Sequence, residues 1–165
     1  MQFFLTLALL ASLLAVTLSA PVQIAKRAPR TYQQISIGGG VGGNALAEAQ
    51  AKFPGNPATL SKATAADFNA DAHCSVLAEQ AFIDAGAIAS SNRATNGVSV
   101  GLFKNKVLKI FGTMVALQAQ IAENGGKASA SQQAQLDDLT SKLAVNVAVD
   151  KTNAGLKSQD VSFTC

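Results

Sequence analysis

Tryptophan is absent from this 165-residue chain, histidine and tyrosine occur once each, and there are only two cysteines. A zinc site draws on roughly four converging ligands, which one histidine and two cysteines do not provide. Any Ser-His-Asp or Cys-His catalytic set would have to use the same His73, and no G-x-S-x-G elbow accompanies it. On a helix His73 points about 100° away from Cys74, so the two are neighbours in sequence only. Asp137-Asp138 is better explained as charge near a helix start than as a glycosidase carboxylate pair. No Asn-x-Ser/Thr sequon occurs, so N-glycans are not expected. These shortages exclude most reaction classes and leave no catalytic residue, metal or cofactor to assign.

Long apolar runs are also scarce, apart from one. MQFFLTLALLASLLAVTLSA has the layout of a signal peptide over residues 1–20, an apolar run ending in small residues. A spanning helix needs roughly 20 apolar residues and none follow, so no stable membrane anchor is expected. Residues 21–27 then read as a short propeptide whose dibasic end, Lys26-Arg27, suits a processing protease of the secretory pathway. The mature chain would begin at Ala28. Of the 13 Lys and Arg, removing Lys26 and Arg27 leaves 11 against 10 Asp and Glu, a net charge of +1. Such a chain has no electrostatic attraction for nucleic acid. In an oxidising compartment Cys74 and Cys165 are expected to form a disulfide, pinning the last residue to the body with roughly 4–5 kcal/mol of chain-entropy stabilisation.

What remains is helical pattern. Residues 28–43 read as an extended, glycine-rich segment, with TYQQISI as a short strand-like stretch, and residues 44–165 as the helical domain. GGGVGG matches G-x-G-x-x-G at Gly38, Gly40 and Gly43, but a dinucleotide site also needs a βαβ unit that this chain does not offer. Glycines that let the backbone turn closely into a helix are the better account. A short helix is expected over residues 44–53, with Asn44 as N-cap and Pro54 as stop.

A second helix is expected over residues 64–90. Its stripes, Ala65, Phe68, Ala72, Val76, Ile83 and Ala87, then Ala70, Cys74, Leu77, Ala81 and Ile88, place it inside a bundle with neighbours on two sides. Glu79 interrupts the first stripe, as a buried acid or as an edge residue reaching solvent. From Ser99, Val100, Phe103, Val107, Ile110, Met114, Leu117 and Ile121 step by threes and fours, the seam of a helix packed lengthwise on another. Lys106, Lys109, Thr113 and Gln120 read as its solvated face. Gly125 or Gly126 suits its C-terminal cap, and Ser129 with Gln132 forms a capping box for a last helix carrying Leu136, Leu139, Leu143 and Val147. The fold class is all-α: a small helical bundle of three long helices plus a short N-terminal helix, the tail tied back by the disulfide.

The segments YQQISIGGGVGGNALAEAQAKFP, KNKVLK and LAVNVAVDKTNAGLKSQDVSF, spanning Tyr32 to Phe163, resemble a family of small secreted proteins of filamentous fungi. Ile35-Ser36-Ile37-Gly38 departs from the Ile-Ser-Asp-Gly of such relatives. The resemblance implies secretion and a place among candidate effectors or wall-associated proteins, with no catalytic residue to transfer. The reading is a non-enzymatic extracellular protein that binds a host or cell-wall component. The alternative is a carrier of a fatty acid or sterol, its cavity lined by Phe103, Phe111, Met114, Leu117 and Glu79. Protein recovered from culture fluid is expected to lack residues 1–27 and to take up two alkyl groups only after reduction. Intact mass before and after reduction and alkylation checks both, and a mass retaining residues 21–27 rejects the dibasic cut.

Overall fold

Helix boundaries follow the local chemistry. The structure, a computed structural model, describes residues 30–88 and 93–165. The expected signal peptide, the propeptide and the Lys26-Arg27 pair lie outside the described residues. Along the chain come α1 (Tyr32–Ile35), β1 (Gly40–Val41), α2 (Ala45–Lys52), a 3-10 turn (Pro57–Thr59), α3 (Lys62–Asp84), α4 (Gly97–Glu123), α5 (Ala130–Thr152) and β2 (Lys157–Ser158). The architecture is the expected helical bundle. The Cys74–Cys165 disulfide, with Cα atoms 5.5 Å apart, ties the C-terminal end back to α3.

Three long helices start on side-chain caps. Ser61 accepts from the Thr64 N–H, Asn96 from Ser99, and Ser129 from Gln132, whose side chain returns the bond as a capping box. At the far end of α4 the Gly126 N–H donates to Ile121 O at 2.9 Å and the Gly125 N–H to Ala122 O at 3.2 Å. This paired bonding is a Schellman cap, and both glycines have positive φ, 94° and 77°. The turn sends α5 back along α4 as an antiparallel hairpin.

Two local expectations are corrected. The TYQQISI stretch is not extended: Tyr32–Ile35 forms a helical turn, with the Gln34 side chain accepting the Thr31 N–H at 2.8 Å. The Thr-x-x-Gln spacing is itself a capping-box signature. Asn44 precedes α2, but its side chain makes no capping bond. Instead buried Asp150 reaches from α5, its two oxygens accepting from Gly43 N–H and Ala45 N–H at 2.9 Å each. A carboxylate there satisfies free backbone donors and the positive end of the helix together.

α4 is the central element, and α3 is not. The stretch from Val98 to Asn105 is buried at every position. α3 packs along one side of α4, α5 along another, and α2 with the 3-10 turn on a further flank. On α3 the buried stripe is Ala65, Phe68, Ala72, Ser75, Ala78 and Phe82, whereas Val76, Leu77 and Ile83 stand more than 40 % exposed. Of the expected second stripe only Cys74 is buried, against Tyr32 and Ile35 of α1, so the second packed side of α3 is confined to that contact. Polar residues occupy the buried stripe because they have partners: Asp71 accepts the Arg30 Nε–H at 2.8 Å, and the Ser75 carbonyl accepts from Asn105 at 2.9 Å. The small residues alongside them bring α3 close to α4. Phe53 and Phe68 meet edge to face at 5.3 Å between centroids, closing the core between α2, α3 and α4.

The two chain ends cross α4 together. β1 and β2 pair antiparallel, Gly40 opposite Ser158 and Val41 opposite Lys157, over the amino-terminal half of α4. Gly101 lies directly beneath. A Cβ there would be driven into the Gln159 carbonyl oxygen, 2.8 Å from the Phe82 ring and 3.0 Å from the Gly38 carbonyl oxygen. Alanine at an exposed helix position gains about 1 kcal/mol over glycine, but overpacking against backbone costs about 1–3 kcal/mol. Gly101→Ala is therefore expected to lower the unfolding free energy in a denaturant titration. An equal or higher stability would mean that the crossing chains can lift away at no cost.

Candidate binding groove

Buried polar residues of α4 hold the amino-terminal segment in place. Lys104 has no solvent exposure, and its ammonium donates to Gly39 O at 2.6 Å and Val41 O at 3.1 Å, with the Glu48 carboxylate 2.8 Å away. All three of its donors thus have acceptors, as a buried ammonium requires. The Tyr32 hydroxyl donates to Asn105 Oδ1 at 3.0 Å, and Ser158 donates to the Gly38 carbonyl oxygen. The glycine-rich segment is thereby a fixed lid over α4. Sequence reasoning missed Lys104 because a lysine one residue beyond the Phe103 seam reads as solvated.

Toward its carboxyl end α4 is covered less completely. α3 and α5 each pack on it but make at most marginal contact with each other, so a stripe of α4 stays open between them. This stripe begins with Lys106, Lys109 and Thr113, all half-buried, so they form a groove floor and not the solvated face expected of them. Ile110 lies deeper, Val76 of α3 forms one wall and Leu139 of α5 the other, enclosing about 430 Å³. A further cleft of about 290 Å³ adjoins at Thr113 and runs on over Ala65, Ala116 and Leu117. Both parts lie between α3 and α5 along the same side of α4 and share Thr113.

Charge gathers at the first part. Glu79 is neither a deeply buried acid nor a free edge residue: its side chain is 23 % exposed, ion-paired to Lys109 and 4.0 Å from the Lys106 ammonium. Lys106 also stands 5.2 Å from the Phe103 ring centroid, a cation–π distance. Lys142 lines the groove from α5 and pairs at 2.7 Å with Asp138, four residues earlier on an exposed helix face. Three lysines thus face two carboxylates.

The five residues expected to line one ligand cavity are dispersed. Phe103 is buried under Lys106, and Phe111 tilts against Phe53 at 6.3 Å on the α2 flank. Met114 packs in the cluster of Ile110, Leu117, Ile121 and Leu139 between α4 and α5. Leu117 borders the second cleft, and Glu79 sits among the lysines of the first. Their dispersal has a geometric cause. Positions three, four and seven apart follow a seam, whereas the groove follows the neighbouring stripe of the same helix.

The family model for a domain of unknown function, DUF8454, matches residues 27–162, and the chain belongs to that family. Comparison with curated proteins and with solved structures gives no match. Among the described residues, no helix is long and apolar enough to cross a membrane.

The single tyrosine offers a pH readout of the α1 anchor. Burial pushes the Tyr32 hydroxyl well above its ordinary value, the Asp160 carboxylate adds to the shift, and the Ser36 hydroxyl partly offsets it. The folded-state value lies above the unfolded one near 10. The resulting stabilisation is fully present below about pH 10 and is lost as pH rises further. Tyrosinate absorbance, which reports Tyr32 alone, is expected to stay silent above about pH 10 until the chain unfolds. An ordinary titration near pH 10 in folded protein, followed by circular dichroism in parallel, would show the hydroxyl to be in water.

Proposed function

We propose that this protein is a secreted, non-enzymatic binding protein that engages an extracellular partner, a component of a host or of a cell wall, through the groove between α3 and α5. The observation that carries the reading is the groove itself. A floor of Lys106, Lys109, Ile110 and Thr113 between apolar walls at Val76 and Leu139 forms a surface that a folded chain would otherwise cover. Apolar area gains roughly 25 cal/mol per Å² when removed from water, and Val76 at 43 % exposure has yet to realise that gain.

Secretion is supported from three directions. The Cys74–Cys165 disulfide suits an oxidising compartment. The apolar run at the amino terminus has the form of a signal peptide. The family match begins at residue 27, within the dibasic pair, as it would if the preceding residues were a removable leader. The resemblance to small secreted proteins of filamentous fungi favours a candidate effector or wall-associated role over a housekeeping one.

The reading is tested by retention. Protein from culture fluid is incubated with cell-wall fragments, with a host-surface fraction, and with solvent extracts of both. Wild type is expected to be retained by, or to co-elute with, at least one. Val76→Glu, placed on a half-exposed wall where it leaves the fold intact, is expected to reduce that retention at least fivefold. Equal behaviour of the two proteins in every fraction would remove the groove from the function.

A further inference from the structure

We infer that the groove is a site for a long-chain carboxylate, its head group at Lys106 and its acyl chain laid along α4 toward Leu117. The inference rests on the groove being the binding surface and names the ligand class that fits it. Charge sets the head group. Lys106, Lys109 and Lys142 face Glu79 and Asp138, which leaves one positive charge unmatched. Lys109 and Lys142 each have a close carboxylate, whereas Lys106 is 4.0 Å from Glu79 and already shares it with Lys109. A monoanion restores neutrality at Lys106 and leaves the Glu79–Lys109 pair in place.

The groove's length and lining set the tail. From Lys106 to Gln120 the floor advances 14 residues of α4, about 21 Å at about 1.5 Å per residue. One acyl chain spans roughly 15 Å, half the ~30 Å hydrocarbon thickness of a bilayer. Val76, Ile110 and Leu139 flank the first half of that path, and buried Ala65, Ala116 and Leu117 the second. The polar residues of the second half, Asn69, Gln120, Gln135 and the oppositely charged Lys62 and Glu123, are exposed and lie at its lip. The two parts, about 430 and 290 Å³, fall in the range of small-molecule sites.

Other occupants fit less well. Sugar rings stack on aromatic faces, and no aromatic residue lines either part. A peptide that binds as an added strand needs an open strand edge to pair with, and helices form all three sides. A polyanion would find one surplus cation.

The test uses the disulfide-intact protein from culture fluid and sodium palmitate below its aggregation concentration, followed by titration calorimetry. Palmitate is expected to bind one to one, with methyl palmitate and octanoate at least tenfold weaker. Lys106→Glu is expected to weaken palmitate at least tenfold while the circular dichroism spectrum and thermal midpoint hold. Lys106→Gln provides a milder variant if that one misfolds, with at least a threefold loss. No palmitate binding, equal binding of the methyl ester, or indifference to both Lys106 variants overturns the inference. If palmitate fails while Val76→Glu still abolishes retention on a wall or host fraction, the groove has a macromolecular partner: the inference falls and the functional reading stands.

Discussion

The enclosure of the amino-terminal half of α4 is the constraint on which the rest of the molecule depends. Eight consecutive buried positions, Val98 to Asn105, include a lysine and an asparagine that water cannot reach. A buried ammonium without acceptors would cost several kcal/mol, so its partners must arrive with it. They come from the glycine-rich segment and α2 for Lys104, and from α1 and α3 for Asn105. One short stretch of helix thereby sets the positions of four other elements.

The same demand explains how the two ends of the chain are held. A two-residue strand pair is too short to be stable by itself. Each end is fastened at several points. The amino-terminal segment has the Arg30–Asp71 pair, the Tyr32–Asn105 bond and the Lys104 contacts. The carboxyl-terminal strap has the Ser158 bond to Gly38, the Tyr32–Phe163 ring contact at 5.9 Å and the Cys74–Cys165 bridge. At Gly42 and Gly101 another stretch of backbone approaches too closely for a side chain, and at Gly38 the Asp160 carboxylate does. The glycine cluster thus serves chain crossing, in a fold with no βαβ unit among its described residues.

The groove is the counterpart of that enclosure. The polar anchors and aromatic rings gather at one end and one flank of α4, and a smaller cluster around Ile110, Leu117 and Leu139 joins α4 to α5. α5 buries little beyond Leu139 and Asp150 and lies against α4 by one stripe. α3 turns its small residues inward and its larger aliphatic ones outward. Two helices seated this way on a third leave a trough between them. Its side chains are those that neither helix could cover.

Periodicity and capping chemistry were enough to read α2 to α5 from the sequence, though not the helical turn α1 or the end of α3 at Asp84 instead of residue 90. The seam from Val100 to Ile121, the Ser129–Gln132 box, the glycine cap at residues 125–126 and the cystine all rest on neighbours in sequence or on a count of thiols. Those local causes act the same way in any context. The rotation of α3, the burial of Lys104, the capping of α2 by Asp150 and the course of the groove were not legible. Each is decided by groups 30 to 107 residues apart meeting in space, where a polar side chain is placed by its partner and not by its hydropathy. The sequence by itself determined that α-helices of given length and apolar face would form and that the last residue would be tied back. Only the tertiary structure decided which stripe of each helix was satisfied and which was left facing water, because that depends on where distant hydrogen-bond acceptors and charges come to rest.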